Sequence, residues 1–338
     1  MRQTRLVLAA GLALALSTGG TMAKEMNYNI TAHAGSLGGL YMEVLATWSE
    51  LWKEKIPGLR VTPVLGGGLT NPLNVSKADP NSAVGITATD ASVDAVEGVG
   101  TFADRAPGGL KNLRALARLN SLSSVAAMAH RSAVPEGVKT LGDLLAKKPA
   151  LKWALMERKN AGEVAAARLL DAHGISYDDL TNWGGRLSFN PQAGISELMI
   201  NGQVDATVLF SRVPAAYILD MDASIKDLVW LPFDHDIVEK IVKQYKGGYV
   251  ASEHPMGHYQ SLKEAFLTFG ADHILFVHAD MDEALAYELT KVILENRNVI
   301  INAVPAMANF TQEEACRDPG ALEFHPGAIR ACKDLAGR

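Results

Sequence analysis

The residues His33-Ala34-Gly35-Ser36-Leu37-Gly38-Gly39-Leu40-Tyr41 join two segments of opposite character. Before them, Tyr28-Asn29-Ile30-Thr31-Ala32 alternates as a half-buried strand does. After them, apolar residues recur at 40/41, 44/45, 48 and 51/52, the spacing of one helix face. The segment is therefore read as strand, glycine turn and helix start. Glycine lets the backbone approach a bound group closely, and the first free N–H groups of a helix favour an anion. Many glycine-rich turns are nothing more than tight turns, so the remaining chain has to decide.

Two similar units follow. Leu59-Arg60-Val61-Thr62-Pro63-Val64-Leu65 reads as a strand whose proline suits an edge or a bulge. It runs into Gly66-Gly67-Gly68-Leu69-Thr70-Asn71-Pro72, where Asn71 is expected to cap a helix with Pro72 at its first position. Ala83-Val84-Gly85-Ile86-Thr87 reads as a buried strand, with Asp90 capping a helix over 91–97. Three strands that each end in such a turn imply a parallel α/β layer, and ligands gather at the carboxyl ends of its strands. His33, Gly35, Ser36, Leu37, Tyr41, Gly68, Thr70, Asn71 and Asp90 are thus expected on one rim.

From about residue 113 to 129 the pattern turns continuously apolar, the passage to a second lobe. Thr140-Leu141-Gly142-Asp143 has the form of a capping box with aspartate in place of glutamate. Strands are expected at 153–156 and 204–210, and helices at 163–173 and 192–201. Arg158 and Asn160 lie in the turn after the first of these strands, and Arg212 ends the second. The expected division is lobe one over 24–120 and 251–338, and lobe two over 121–250.

Residues 1–23 combine Arg2 and Arg5, an apolar run over 6–16 and a small-residue end at Ala23, the pattern of a cleaved secretory leader. An uncleaved anchor is the alternative, although the apolar run is short for a bilayer. Without it the net charge moves from −5 to −7, because both charges lost are arginines. An acidic exported chain without basic runs argues against nucleic-acid binding. Cys316 and Cys332 suit a disulfide in an oxidising compartment, with two free buried thiols as the alternative. His254 and His258 have helical metal-ligand spacing, but Pro255 and Gly257 between them oppose a helix. No metal or other cofactor is expected.

The chain resembles the TAXI branch of the solute-binding proteins of tripartite ATP-independent periplasmic (TRAP) transporters. The resemblance rests on the residue 33–41 turn, on 66–71, on Val84-Gly85-Ile86-Thr87-Ala88-Thr89-Asp90 and on Glu323-Phe324-His325-Pro326-Gly327-Ala328-Ile329-Arg330. It implies a two-lobed α/β periplasmic binding protein of type II-like build, a monomer with its ligand in the interlobe cleft. It also implies capture of a small carboxylate or amino acid, such as glutamate or 2-oxoglutarate, for a membrane permease. The pattern departs at Lys159-Asn160-Ala161-Gly162, where the family has a hydroxyl-rich turn, and at Ala331-Cys332 in place of a tyrosine pair. Arg158 and Arg212 could supply the donors such a turn would lack.

Each candidate has a plainer reading beside the functional one. Ser36, Asn71 and Asp90 could be helix caps, Tyr41 a core residue, and the arginines solvated surface. A sensor could replace the permease as partner. The other class to weigh is a secreted serine hydrolase, since Ala34-Gly35-Ser36-Leu37-Gly38 loosely resembles a nucleophile elbow. Ser36 follows the first strand of the mature chain, however, whereas that elbow needs several strands laid down before it.

Overall fold

The computed structural model describes residues 26–35, 39–121, 123–158 and 160–336. The leader read at 1–23 and the candidates Ser36 and Leu37 lie outside them. The first elements are β1 (Asn29–His33), α1 (Leu40–Lys55), β2 (Arg60–Val64), α2 (Asn71–Lys77), β3 (Ala83–Ala88), α3 (Thr89–Glu97) and β4 (Leu113–Arg118). There follow β5 (Ser123–His130), α4 (Leu141–Ala146), β6 (Lys152–Met156), α5 (Ala161–Ala172), α6 (Tyr177–Asn182), β7 (Arg186–Asn190), α7 (Gln192–Ile200) and β8 (Ala206–Arg212). Next come α8 (Ala216–Ser224), β9 (Leu228–Leu231), α9 (His235–Gln244), β10 (Val250–His254), β11 (Phe266–Ala271) and β12 (His273–His278). The chain closes with α10 (Glu283–Glu295), α11 (Arg297–Ala303), α12 (Gln312–Ala315) and α13 (Pro326–Leu335).

These strands form two sheets, one in each lobe of an α/β fold. The first has the order β2-β1-β3-β12-β4, with β1, β2 and β3 mutually parallel. Pro63 lies on its edge strand β2, where a missing amide costs no ladder bond. The second has the order β10-β11-β5-β8-β6-β7, with β9 also paired to β5; β6, β7 and β8 are parallel. The apolar face of α1 buries Val44, Leu45, Trp48 and Trp52, and the Trp52 indole donates to the Leu289 carbonyl of α10 at 3.0 Å. The capping box at Thr140 and Asp143 forms as its sequence suggests.

The chain changes sheet twice. β4 gives way to β5 across residues 119–122, and β11 gives way to β12 across Asp272 alone. A return at residue 251 therefore does not match the sheets: β10 and β11 belong to the second one, because β11 pairs with β5. The two apolar runs 266–271 and 273–278 are separated by a single residue, with no turn signal to mark the change.

Both crossovers converge on the Asp272 carboxylate. Its Oδ1 accepts from the backbone N–H groups of Ser121 at 2.9 Å and His273 at 2.7 Å, while Oδ2 pairs with the Arg118 guanidinium. The Thr89 amide donates to the Asp272 carbonyl at 2.8 Å, and Ser121 Oγ lies 3.0 Å from His273 Nδ1. Near the C-terminus, Cys316 and Cys332 form a disulfide that ties α13 to the segment before it. A loop of this length stabilises by about 3 kcal/mol in the chain-entropy account.

His254, which ends β10, is buried in the second lobe. Its Nδ1 lies 3.0 Å from Ser124 Oγ, and its ring stacks on Phe266 with centroids 5.0 Å apart. Burial, and secondarily the charge of His258, hold it down to about 4 from an ordinary 6.5. The unfolded chain therefore takes up a proton that the native state refuses, and this contribution to stability is lost as pH falls from about 6.5 towards 4. Urea unfolding at pH 7 and pH 4.5 is expected to show less acid loss in His254→Phe than in the wild type. The difference is bounded at about 3 kcal/mol by the size of the shift.

Candidate functional site

Because β1, β2 and β3 are parallel, their carboxyl ends at His33, Val64 and Ala88 share one edge of the first sheet. What ties that edge together is Asn71, which has no exposure at all. Its Nδ2 donates to the carbonyls of His33 (2.9 Å), Ala34 (2.8 Å) and Ile86 (2.8 Å), and its Oδ1 accepts from the Gly67 amide at 3.0 Å. Two protons shared among three carbonyls leave nothing for a ligand. Asn71 is therefore not the cap that its place before Pro72 suggests, since Thr70 precedes the helix instead. Gly66 is demanded by the same arrangement: a Cβ there would lie 2.3 Å from Asn71 Oδ1 and 2.9 Å from the Ala34 carbonyl.

Over this edge stands Tyr41, in the first turn of α1. Its ring meets His273 edge to face at 5.2 Å, and a Cβ on Gly68 would lie 3.4 Å from its hydroxyl. Burial first, and then the charges of Asp90 and Asp272, push the phenol well above its usual range, so it remains a donor. A Cβ on Gly35 would sit 3.2 Å from the Tyr41 Cβ, so Gly35 lies directly against the same side chain. Thr87 donates to the Gly68 carbonyl at 2.7 Å and Thr70 to that of Gly67 at 3.1 Å. His33 is half-buried, with Nδ1 3.4 Å from Asn74 Nδ2; burial lowers its pKa and keeps it neutral.

The second sheet presents the matching edge, where β6, β7 and β8 end at Met156, Asn190 and Arg212. Arg158 follows β6, its guanidinium 3.7 Å from the Phe189 ring centroid and 4.9 Å from that of Tyr177. Glu163 lies 3.3 Å away, and the arginine side chain remains 56% exposed. Asn160 caps α5, accepting from the Gly162 amide at 2.9 Å. Arg212 reaches across to the first lobe, where its Nη1 donates to Glu43 Oε2 of α1 at 3.2 Å.

Asp90 departs from its expected role. It is the second residue of α3, whose N-cap is Ala88, and its carboxylate is 2% exposed. Tyr249 donates its hydroxyl to Asp90 Oδ2 at 2.9 Å, and Arg168 of α5 lies 3.5 Å from the same oxygen. Burial raises the Asp90 pKa against the lowering effect of Arg168. Its Oδ2 is thus engaged inside the protein, while Oδ1 is buried without a hydrogen-bond partner among the described residues.

The structure thus brings Gly35, Tyr41, Gly68, Thr70 and His33 to one rim, and Arg158, Asn160 and Arg212 to another. Asn71 and Asp90 turn out to be internal fastenings. Glu43, Arg168 and His273 were missed from the sequence. Asp90 and Asp94, four apart among small apolar residues, were the legible sign that α3 meets a buried cation. Replacing Asn71 with Ala strands the carbonyls it holds, an expected loss of about 3 kcal/mol in urea unfolding. Asn71→Asp, which turns donors into acceptors facing carbonyls, is expected to lose more.

Among solved structures, PhnD1 from Prochlorococcus marinus (MIT 9301), in complex with methylphosphonate, is 12% identical with a TM-score of 0.53, over 83% of this chain and 89% of that one. MatC from Rhodopseudomonas palustris with bound malate is 12% identical with a TM-score of 0.49, over 83% and 88%. A TctC solute binding protein from Polaromonas is 13% identical with a TM-score of 0.47, over 91% and 96%. No curated protein sequence matches the chain. At this identity the likeness to PhnD1 concerns the fold, the two-lobed α/β arrangement described above. A family model matches residues 32–334, a span that takes in both sheets and both rims, and by that match the chain belongs to the NMT1-like family.

Proposed function

We propose that this protein captures a small organic anion or amino acid, similar to glutamate or 2-oxoglutarate, between its two lobes. It then presents the solute to a membrane permease of the TRAP type, as a monomer of the TAXI branch and without turnover. The observation that supports this reading best is the contact of Arg212 with Glu43 across the two rims. Arg212 ends β8 and Glu43 lies in the first turn of α1, so the contact joins the strand-end edge of the second sheet, which also carries Arg158, to the helix that carries Tyr41.

The chemistry follows from the donors. Arg158 is held over the Phe189 ring and beside that of Tyr177, so its guanidinium loses little freedom when a carboxylate docks. Arg212 already binds a carboxylate, and a solute anion can compete with Glu43 for it. From the first lobe, the Tyr41 hydroxyl and the free amides at the start of α1 complete the hold. Export through the 1–23 leader would deliver the chain to the periplasm, an oxidising setting that agrees with the Cys316–Cys332 disulfide.

Calorimetry against L-glutamate, 2-oxoglutarate, malate and neutral amino acids tests this. At least one anion is expected to bind. Arg158→Ala and Arg212→Ala should each weaken it by about tenfold or more, equivalent to about 1.4 kcal/mol. Glu43→Gln, which removes the competitor, should hold the affinity or tighten it. Binding of a neutral member while every anion fails would overturn the anion assignment, and hydrolysis of an activated ester would overturn the binding role.

A further inference from the structure

Arg168 lies on the buried face of α5, among Ala165, Ala166, Leu169 and Leu170 of the second-lobe core. Its guanidinium is carried by its own lobe: it stacks on the Tyr245 ring at 4.1 Å, and its Nη1 lies 3.2 Å from the Tyr249 hydroxyl. The same guanidinium also reaches the other lobe. Nη2 meets both oxygens of Asp94 at 2.7 and 2.6 Å, and Nη1 approaches Asp90 at 3.5 Å. Those carboxylates stand four residues apart on α3, and all three charged side chains are less than a tenth exposed. A cation fixed by rings of one lobe thus enters a socket of two acids on the other. Beside it, Thr89 Oγ1 donates to the Gly248 carbonyl at 2.6 Å, a second bond between the same two surfaces.

We propose that Arg168 is a positioning residue for solute capture: it clasps α5 to α3 and holds the two rims at their closed spacing before a solute arrives. This rests on the binding role proposed above. The solute then meets rims already in register, and it need not supply the whole free energy of closure itself. A protein that spends most of its time open binds more weakly in proportion to the fraction closed. Removing Arg168 leaves Asp90 and Asp94 facing a lobe without a cation, and two unpaired acids are relieved by taking water between the lobes.

The test is small-angle X-ray scattering of the solute-free full chain, for wild type, Arg168→Met and Asp94→Asn. The clasp predicts a larger radius of gyration in Arg168→Met and a smaller increase in Asp94→Asn. It also predicts an affinity loss of about tenfold in Arg168→Met for whichever anion of the calorimetry panel binds the wild type. A folded Arg168→Met protein with wild-type scattering would overturn the proposal, as would swelling without loss of affinity. If Arg168→Met does not fold, Asp94→Asn decides by the same two readings. Scattering needs no solute, so a panel in which nothing binds counts against the anion reading and leaves the clasp to be judged by shape.

Discussion

One carboxylate, that of Asp272, governs how the two lobes meet. It stands alone between β11 and β12, where the chain leaves one sheet for the other, and it holds Arg118 and the Ser121 amide at the end of the other crossover. The side chain is 3% exposed, so its charge is neutralised inside the protein by the guanidinium and backbone N–H groups. With both connections pinned to one group, the lobes share a short seam. His273 continues that seam toward Tyr41, which places the first-lobe rim within ring contact of the hinge.

Away from this seam, the interlobe contacts differ in their exposure to water. Arg212 and Glu43 are each about one-third exposed, so their pairing is screened and easily exchanged. Arg168 with Asp90 and Asp94 is almost wholly removed from solvent. In a dry setting a charge without its partner is costly, so the pair is held by that penalty more than by its attraction. The exposed pair suits a contact that a solute can replace. The buried one suits a contact that sets geometry.

Much of the architecture was legible because it follows from periodicity. The α1 stripe, the all-buried β3 and the edge position of Pro63 each reflect a local rule about which face meets the core. Caps were less legible. Asn71 before a proline and Asp90 before a helix have the form of capping residues, yet both side chains point inward to partners brought by other segments. Local sequence offers a polar residue its nearest use, whereas a buried site offers a stronger one that depends on distant chain. The β11 to β12 change of sheet was hidden for a related reason, since Asp272 looks like a solvated aspartate until Arg118 and Ser121 arrive from 154 and 151 residues earlier in the chain.

The rims illustrate how the same residue types divide between scaffold and function. Asn71 spends every polar atom on backbone groups, and Asp90 commits its Oδ2 to Tyr249 and Arg168; neither can change these partners without cost to the fold. Arg158 lies over the Phe189 ring and is more than half exposed. Tyr41 keeps its proton through burial and nearby acids, so it donates where a second acid would repel an anion. Donors thus stand on the edges of both sheets, while the acids Asp272 and Asp94 are already held by Arg118 and Arg168. On the proposed reading, selectivity for a negative guest would come less from the number of positive charges than from the prior engagement of the negative ones.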